Sequence, residues 1–200
     1  THADIDRYLE KHSATIQKAV DAFQAQTESL PITDGEVTPY EKKTFTPEVQ
    51  NLAVQSEKIG DLYQEFAGAS AKRLSLNVFE EWRRTNAKGM GRNLQEWIAG
   101  DDGAIPEEYH AALRDQYLFT QAFFKKAGIT HVTVYRGIAG KGLDTDPPSE
   151  GDAVEVGARS LSCWSMNLNV AKGFGDRTCI AKVPVEQVFA SPLTDPEFGH

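Results

Sequence analysis

The chain has 200 residues, of which 40% are hydrophobic and 25% are charged, and its formal net charge at pH 7 is −8. These values fit one domain with a real core, and the acidic charge argues against binding to nucleic-acid backbones, which needs a surplus of Lys and Arg. The two cysteines and five scattered histidines predict neither a disulfide framework nor a common zinc site. Since no apolar run approaches the roughly 18 residues of a membrane span, we expect no membrane partner.

The N-terminal part of the sequence is predicted to be helical. Apolar residues recur at steps of three and four from Ile5 to Phe23, which indicates one long amphipathic helix. This helix is expected to end before Leu30-Pro31, and the prolines and glycine of residues 31–46 predict a linker-like loop. The first residues lack a basic-then-apolar pattern, so no signal peptide is predicted.

The middle of the sequence also favours helices. Pro47-Glu48 suits the first turn of a helix, because Pro loses no hydrogen bond there and Glu favours the positive end of the helix dipole. Apolar residues continue this predicted helix to Phe66. Further helical stretches are predicted around 74–82, around 94–97 and, with the clearest signal, over 106–127 before a stop at Gly128.

After the glycine stop the pattern changes to that of strands. Alternation and β-branched residues predict a strand over 131–136. The elements expected beyond it are a surface loop over 137–157, a strand over 158–164, a short helix capped by Asn167 and a third strand over 178–183. Because helices come first and strands afterwards, the sequence predicts an α+β fold, with an N-terminal helical extension over 1–70 and a strand-containing domain over 71–200.

Two segments of the strand-containing part carry the chemistry. A Gly-rich run begins at Gly137, but it has neither phosphate-loop spacing nor the dinucleotide fingerprint, and no hydrolase elbow is present. What remains is Val132–Gly137, a strand that ends in Arg-Gly, followed by Ser160–Asn167, a serine-rich strand that leads into a short helix with Phe174. This combination is more specific than either segment alone.

The pair of segments resembles the arginine-serine-glutamate branch of the ADP-ribosyltransferases, which includes bacterial toxins and phage-encoded enzymes. The resemblance covers about residues 105–200 and implies helices packed with a two-sheet β core that holds NAD in a cleft. It implies a glycosyltransferase-type reaction in which ADP-ribose passes from NAD to a protein, most commonly to arginine, and nicotinamide leaves. It would suit a secreted or injected toxin or effector with an immunity or partner protein, while the compartment stays open.

The first segment would supply the NAD-binding residues. The resemblance implies that Arg136, followed by Gly137, contacts an NAD phosphate. This role is physically sound, because a guanidinium can bind a pyrophosphate through two parallel charge-assisted hydrogen bonds. Tyr135 and Phe174 are the aromatic candidates for the wall of the nicotinamide pocket.

The second segment would support the catalytic carboxylate. The serine motif of the family falls on Cys163-Trp164-Ser165, with Ser162 immediately before it. Because Cys163 takes the first serine position, two hydroxyls remain as candidates for orienting the catalytic glutamate, those of Ser162 and Ser165. A fixed hydroxyl donor would orient a carboxylate beside the developing positive charge.

The catalytic glutamate itself has two candidate positions. Cleavage of the nicotinamide–ribose bond builds oxocarbenium character, which a nearby carboxylate stabilises. Glu197 has the two-residue spacing of the family's Glu-x-Glu motif within Asp195-Pro196-Glu197, although Pro196 fits a strand poorly. We therefore expect the motif to lie beyond His200 in a longer protein and keep Glu197 as the second candidate.

Simpler interpretations of the same residues remain open. Arg136 could be a solvated strand-end arginine, the serines could face solvent, and Trp164 could belong to the core. In function, the alternative to an enzyme is an ADP-ribosyltransferase-like binding domain without a catalytic glutamate.

Overall fold

The fold is known from a computed structural model that describes residues 1–27, 32–39, 51–55, 107–139, 151, 153 and 161–194. The helices in these ranges are α1 (His2–Lys11), α2 (Ser13–Thr27), α3 (Glu107–Ala127) and α4 (Leu168–Lys172). The strands are β1 (Ile32–Thr33), β2 (Glu36–Val37), β3 (Asn51–Gln55), β4 (His131–Ile138), β5 (Leu161–Ser165), β6 (Arg177–Pro184) and β7 (Val188–Ala190). Short 3₁₀ turns cover Val185–Gln187 and Pro192–Thr194. The predicted α+β class is confirmed.

The described strands form one open, mixed sheet around β4. Strand β6 pairs antiparallel with β4 along its whole length, from His131↔Pro184 to Ile138↔Arg177. The other edge of β4 pairs first with β2, in parallel, and then with β5 at Tyr135↔Ser165. Beyond β5 the order continues through β3 to β7. All seven described strands belong to this sheet, and the division into two sheets stays a prediction.

One hydrophobic core joins the N-terminal helices to the sheet. Phe123 of α3 meets Phe23 of α2 edge to face, with ring centroids 5.5 Å apart. The same cluster includes Val132 and Val134 of β4, which are fully or almost fully buried. Burial of each large apolar side chain contributes about 1.5–3 kcal/mol. The boundary predicted at residue 70 lies outside the described residues, but those described on its two sides share this core.

Polar contacts attach the segment after β6 to α3. The amide of Gln121 donates to the carbonyls of Val185 and Val188, at 2.8 and 3.0 Å. The amide of Gln116 donates to the carbonyl of Thr194, at 2.7 Å, and the hydroxyl of Thr120 donates to the Thr194 hydroxyl. Three of these four buried bonds satisfy backbone carbonyls that would otherwise be costly to bury.

The helix predicted from Ile5 to Phe23 is wrong in one respect, because it is two helices. Residue His12 leaves the helical conformation with φ −113° and ψ 22°, and its carbonyl accepts the first hydrogen bond of α2 from Ile16. Helical periodicity continues across a break of one residue, so the apolar spacing did not reveal it.

The linker-like loop predicted for 31–46 contains a β-hairpin. Strands β1 and β2 pair across Asp34 and Gly35, which both have positive φ, 51° and 77°. A two-residue turn with positive φ at both positions strongly favours Asp-Gly. The sequence therefore contained the signal for this hairpin.

The helix predicted from Pro47 to Phe66 is wrong over 51–55. These residues form β3, which pairs antiparallel with β5 on one edge and with β7 on the other. Pairing with two neighbours overrides a weak local helix preference. The helices predicted around 74–82 and 94–97 lie outside the described residues.

The C-terminal elements follow the sequence closely. Helix α3 ends at Ala127, and Gly128 follows it with a φ of +69°. The N–H of Gly128 donates to the carbonyl of Lys125, and the N–H of Ile129 donates to that of Phe124. This is the Schellman arrangement. The predicted strand over 131–136 is confirmed and extends to Ile138, and the side chain of Asn167 caps α4 as predicted.

We predict that Gly128→Ala lowers the free energy of unfolding by about 1 kcal/mol, because an L-residue is strained at positive φ. Apart from the adjoining backbone, no atom of the described residues lies within 4 Å of the added methyl group, so the loss would come from backbone strain. Urea denaturation measures the change, and Gly128→Asn should lose less because Asn tolerates this conformation. Equal stability of the alanine variant and the wild type would contradict the prediction.

The carboxylate of Glu36 predicts a dependence of stability on pH. It pairs with Lys182 and accepts a hydrogen bond from the hydroxyl of Thr133 at 2.7 Å. The hydrogen bond from Lys182, then that from Thr133, lowers the pKa of Glu36 below its ordinary value of 4.5. A lowered folded-state pKa adds stability above the unfolded pKa, which is lost as the pH falls through the folded value.

Glu36→Gln should therefore destabilise the protein at pH 7 and have a smaller effect near pH 3. Thermal unfolding at both pH values measures this difference. Glu10→Gln, on an exposed part of α1, is the control. An equal effect of Glu36→Gln at both pH values would refute the assignment.

Candidate functional site

The last residues of β4 carry the predicted site, and they alternate between the two faces of the sheet. Arg136 follows Val132 and Val134 at steps of two, so it lies on the face that packs against the helices. Tyr135 lies on the opposite face with Thr133, and both are buried. The strand therefore separates two residues that are adjacent in the predicted binding motif.

The guanidinium of Arg136 lies against an indole ring. Its Cζ atom is 5.7 Å from the centroid of the Trp164 ring, which is within the range of a cation–π interaction. The pair Tyr135↔Ser165 explains this contact, because it places residues 136 and 164 opposite each other on neighbouring strands. On the other edge of β4, Arg136 pairs with Cys179 of β6.

The guanidinium of Arg136 has one nitrogen that is unsatisfied within the described part of the chain. This Nη1 atom is buried and has no hydrogen-bond partner there. None of the ion pairs between described side chains includes Arg136 either. An unsatisfied buried donor is costly, and a charged one more so, which makes this nitrogen a candidate for binding an anion.

Ser165 lies on the other face and already has a structural role. Its side chain is buried, and its Oγ accepts a hydrogen bond from the backbone N–H of Asn167 at 3.0 Å. The side chain of Asn167 in turn accepts from Asn169 N at 2.9 Å. These bonds fix the turn from β5 into α4. The structure therefore brings Ser165 beside Tyr135 but not onto the face of Arg136.

Three predicted catalytic or binding residues are described partly or not at all. The backbones of Ser162 and Cys163 pair with Val54 and Ala53 of β3, while their side chains lie outside what the structure describes. Glu197 lies outside the described residues. Their predicted roles stay predictions.

The packing of α4 against β4 explains why position 137 carries no side chain. A Cβ atom at this position would overlap the carbonyl oxygen of Ala171 in α4 and lie 3.1 Å from the backbone N of Gly175. A Cβ on Gly175 would overlap the backbone of Ile138. The end of α4 and the turn after it therefore pack directly on the backbone of β4. Phe174, between these contacts, is 75% exposed, so the described structure does not enclose its ring in a pocket.

Other kinds of site find no support in the described ranges. There, no group of three or more His, Cys, Asp or Glu side chains could hold a metal ion. None of the described helices is long and apolar enough to cross a membrane.

The position of Trp164 beside Arg136 cannot be recognised from the sequence alone. Its packing against the core cluster agrees with the simpler interpretation of Trp164 as a core residue. The contact of Trp164 with Arg136 depends on the register between β4 and β5, and the sequence of either strand alone does not determine that register. The one indication in the sequence that Trp164 could lie at the site is its position within the serine-rich segment.

Comparison with known proteins gives no match: no family model fits this chain, and neither a curated protein nor a solved structure shows significant similarity to it.

We predict that Gly137→Ala lowers the free energy of unfolding by at least about 1–3 kcal/mol. The new methyl group would displace the backbone carbonyl of Ala171 rather than a flexible side chain. Urea denaturation measures the loss. The control is Gly173→Ala, where φ is −70° and the added Cβ would lie 3.3 Å from the carbonyl oxygen of Val170. If both variants lose the same stability, the direct contact between α4 and β4 is not the cause.

Proposed function

We propose that this chain is an NAD-dependent ADP-ribosyltransferase domain that transfers ADP-ribose to a protein acceptor, with arginine as the acceptor side chain. The observation that supports it best is the state of Arg136. Its guanidinium lies near the end of the central strand, next to the serine-rich strand, and has a buried N–H without a partner among the described residues. An anionic ligand would satisfy that donor.

The proposed ligand group is the pyrophosphate of NAD. Two parallel hydrogen bonds from a guanidinium match the geometry of phosphate oxygens. A chain with a net charge of −8 has no general surplus of positive charge to attract anions. A single placed arginine therefore suits a small anionic ligand better than a nucleic acid.

In the proposed reaction the bond between the ribose anomeric carbon and nicotinamide breaks, and nicotinamide leaves with the bonding electrons. The acceptor nitrogen then bonds to the anomeric carbon and gives up one proton, to the catalytic carboxylate or to water. A carboxylate would stabilise the positive charge that develops on the ribose. We assign it to Glu197 or to a Glu-x-Glu motif after His200.

Of the two candidate hydroxyls, we assign the orienting role to Ser162. The hydroxyl of Ser165 holds the turn into α4 and lies on the face opposite Arg136. Replacement of Ser165 would therefore disturb the turn as well as any site.

The proposal includes the two-sheet core of the ADP-ribosyltransferase type, with NAD in the cleft between the sheets. The support for a division comes from β4, because one of its edges changes partner from β2 to β5 along its length. A toxin, effector or phage enzyme with an immunity or partner protein would fit this assignment.

The second candidate function is a binding domain that has this scaffold but no catalysis. It is favoured by the separation of Arg136 and Ser165 onto opposite faces of the sheet. In that case the arginine site would bind an anionic partner, and nicotinamide would not be released.

Calorimetric titration with NAD tests the proposal. Arg136→Ala should weaken binding by about tenfold to a hundredfold, since a lost charged hydrogen-bond donor costs about 1.5–3 kcal/mol. Arg136→Lys should recover part of this loss, because Lys keeps the charge but not the paired donors. The control is Arg7→Ala, an exposed arginine on α1 that pairs with Asp4.

The enzyme proposal further requires release of nicotinamide from NAD, measured by chromatography on the full-length protein. NAD binding without that release would favour the binding domain. A folded wild type that does not bind NAD would overturn the assignment of Arg136.

A further inference from the structure

The contact between Arg136 and Trp164 has a chemical consequence for the arginine. An aromatic face attracts a cation through its quadrupole but accepts no strong hydrogen bond. A carboxylate in the same place would neutralise the charge and occupy the donors of the guanidinium. Trp164 therefore holds the group without using its N–H donors.

The residue on the other side of Arg136 also leaves the N–H donors of the guanidinium without a strong acceptor. Across the other edge of β4 the paired residue is Cys179, a cysteine outside any disulfide. A thiol is a weak hydrogen-bond partner. Neither of these two neighbours supplies a carboxylate that would neutralise the guanidinium.

The position of the indole ring is itself fixed by the fold. Trp164 is partly buried and packs against the core cluster, and its neighbour Ser165 is held by the bond from Asn167 N. A ring supported in this way loses little freedom when a ligand binds. It can therefore hold the guanidinium in one place before binding, which lowers the entropic cost of binding.

We propose that Trp164 is a positioning residue that holds the Arg136 guanidinium ready for the pyrophosphate of a dinucleotide. This inference rests on the proposed function and adds to it a residue that acts through the arginine rather than by touching the ligand's phosphates. The positioning role requires an aromatic side chain at position 164.

The test is NAD affinity by calorimetry on the full chain and on variants of position 164. Trp164→Leu keeps an apolar side chain but removes the aromatic face, and it should weaken NAD binding by about three- to tenfold. Trp164→Phe keeps a face and should recover most of the affinity. The matched control is Met166→Ala, which removes a buried core side chain and should lower stability without changing affinity.

Coupling between the two residues separates positioning from a purely structural role. In an Arg136→Ala background, Trp164→Leu should have no further effect on NAD affinity, because the group that it positions is gone. If Trp164→Leu weakens binding equally in both backgrounds, the indole acts through the fold and the inference is overturned.

A fluorinated tryptophan gives the same test without altering the volume of the core. In fluorotryptophan the fluorine withdraws electron density from the ring, which makes the ring face less negative and weakens a cation–π contact. NAD binding should weaken in the wild type but not in Trp164→Phe, which retains the fluorinated Trp82 and Trp97. Unchanged affinity in the fluorinated wild type would overturn the inference.

The outcomes for the two proposals are distinct. If Arg136→Ala weakens NAD binding while every change at position 164 leaves it intact, the NAD site stands and the role of Trp164 fails. If Arg136→Ala has no effect on NAD affinity, the assignment of Arg136 fails, and the positioning role fails with it.

Discussion

The pairing of β4 on both of its edges is the constraint on which the rest of the structure depends. Strand β6 covers one edge over eight residue pairs, and β2 and β5 share the other. A strand fixed in this way has one register, and its alternation then decides which side chains enter the core and which face away from it. Val132 and Val134 anchor the helical layer, and the next residue in the same row is Arg136. The candidate site is thus an extension of the core by one polar residue.

The helical layer and the C-terminal segment stabilise this arrangement from outside. Helix α3 supplies aromatic side chains to the core, and its glutamines bind carbonyls of the segment after β6. Burial also raises the pKa of Tyr117 to about 12, so its hydroxyl remains a donor to the carbonyl of Glu186 over the physiological range. Apolar packing supplies most of the stability, while these bonds select which segment lies against α3.

Local patterns predicted the elements that are stabilised locally. Helix α3 follows from apolar spacing along its own sequence, and its stop at Gly128 and the Asn167 cap follow from residues within one turn. Strand β3 could not be found in this way, because its state depends on two partners that are distant in sequence. The same limit applies to the site. The motif placed Arg136 and Ser165 together, whereas the register puts them on opposite faces and brings Trp164 to the arginine instead.

The contact between α4 and β4 has a consequence for how such a site would change through evolution. Because Gly137 and Gly175 let the backbone after α4 lie directly on the backbone of β4, other side chains of α4 can be substituted without moving the end of β4. The two glycines cannot be substituted in this way, since any side chain would push the two backbones apart. Similarity between distantly related chains of this design would therefore persist longest in this glycine pair and its spacing from the arginine, and would be lost sooner in the exposed side chains of α4.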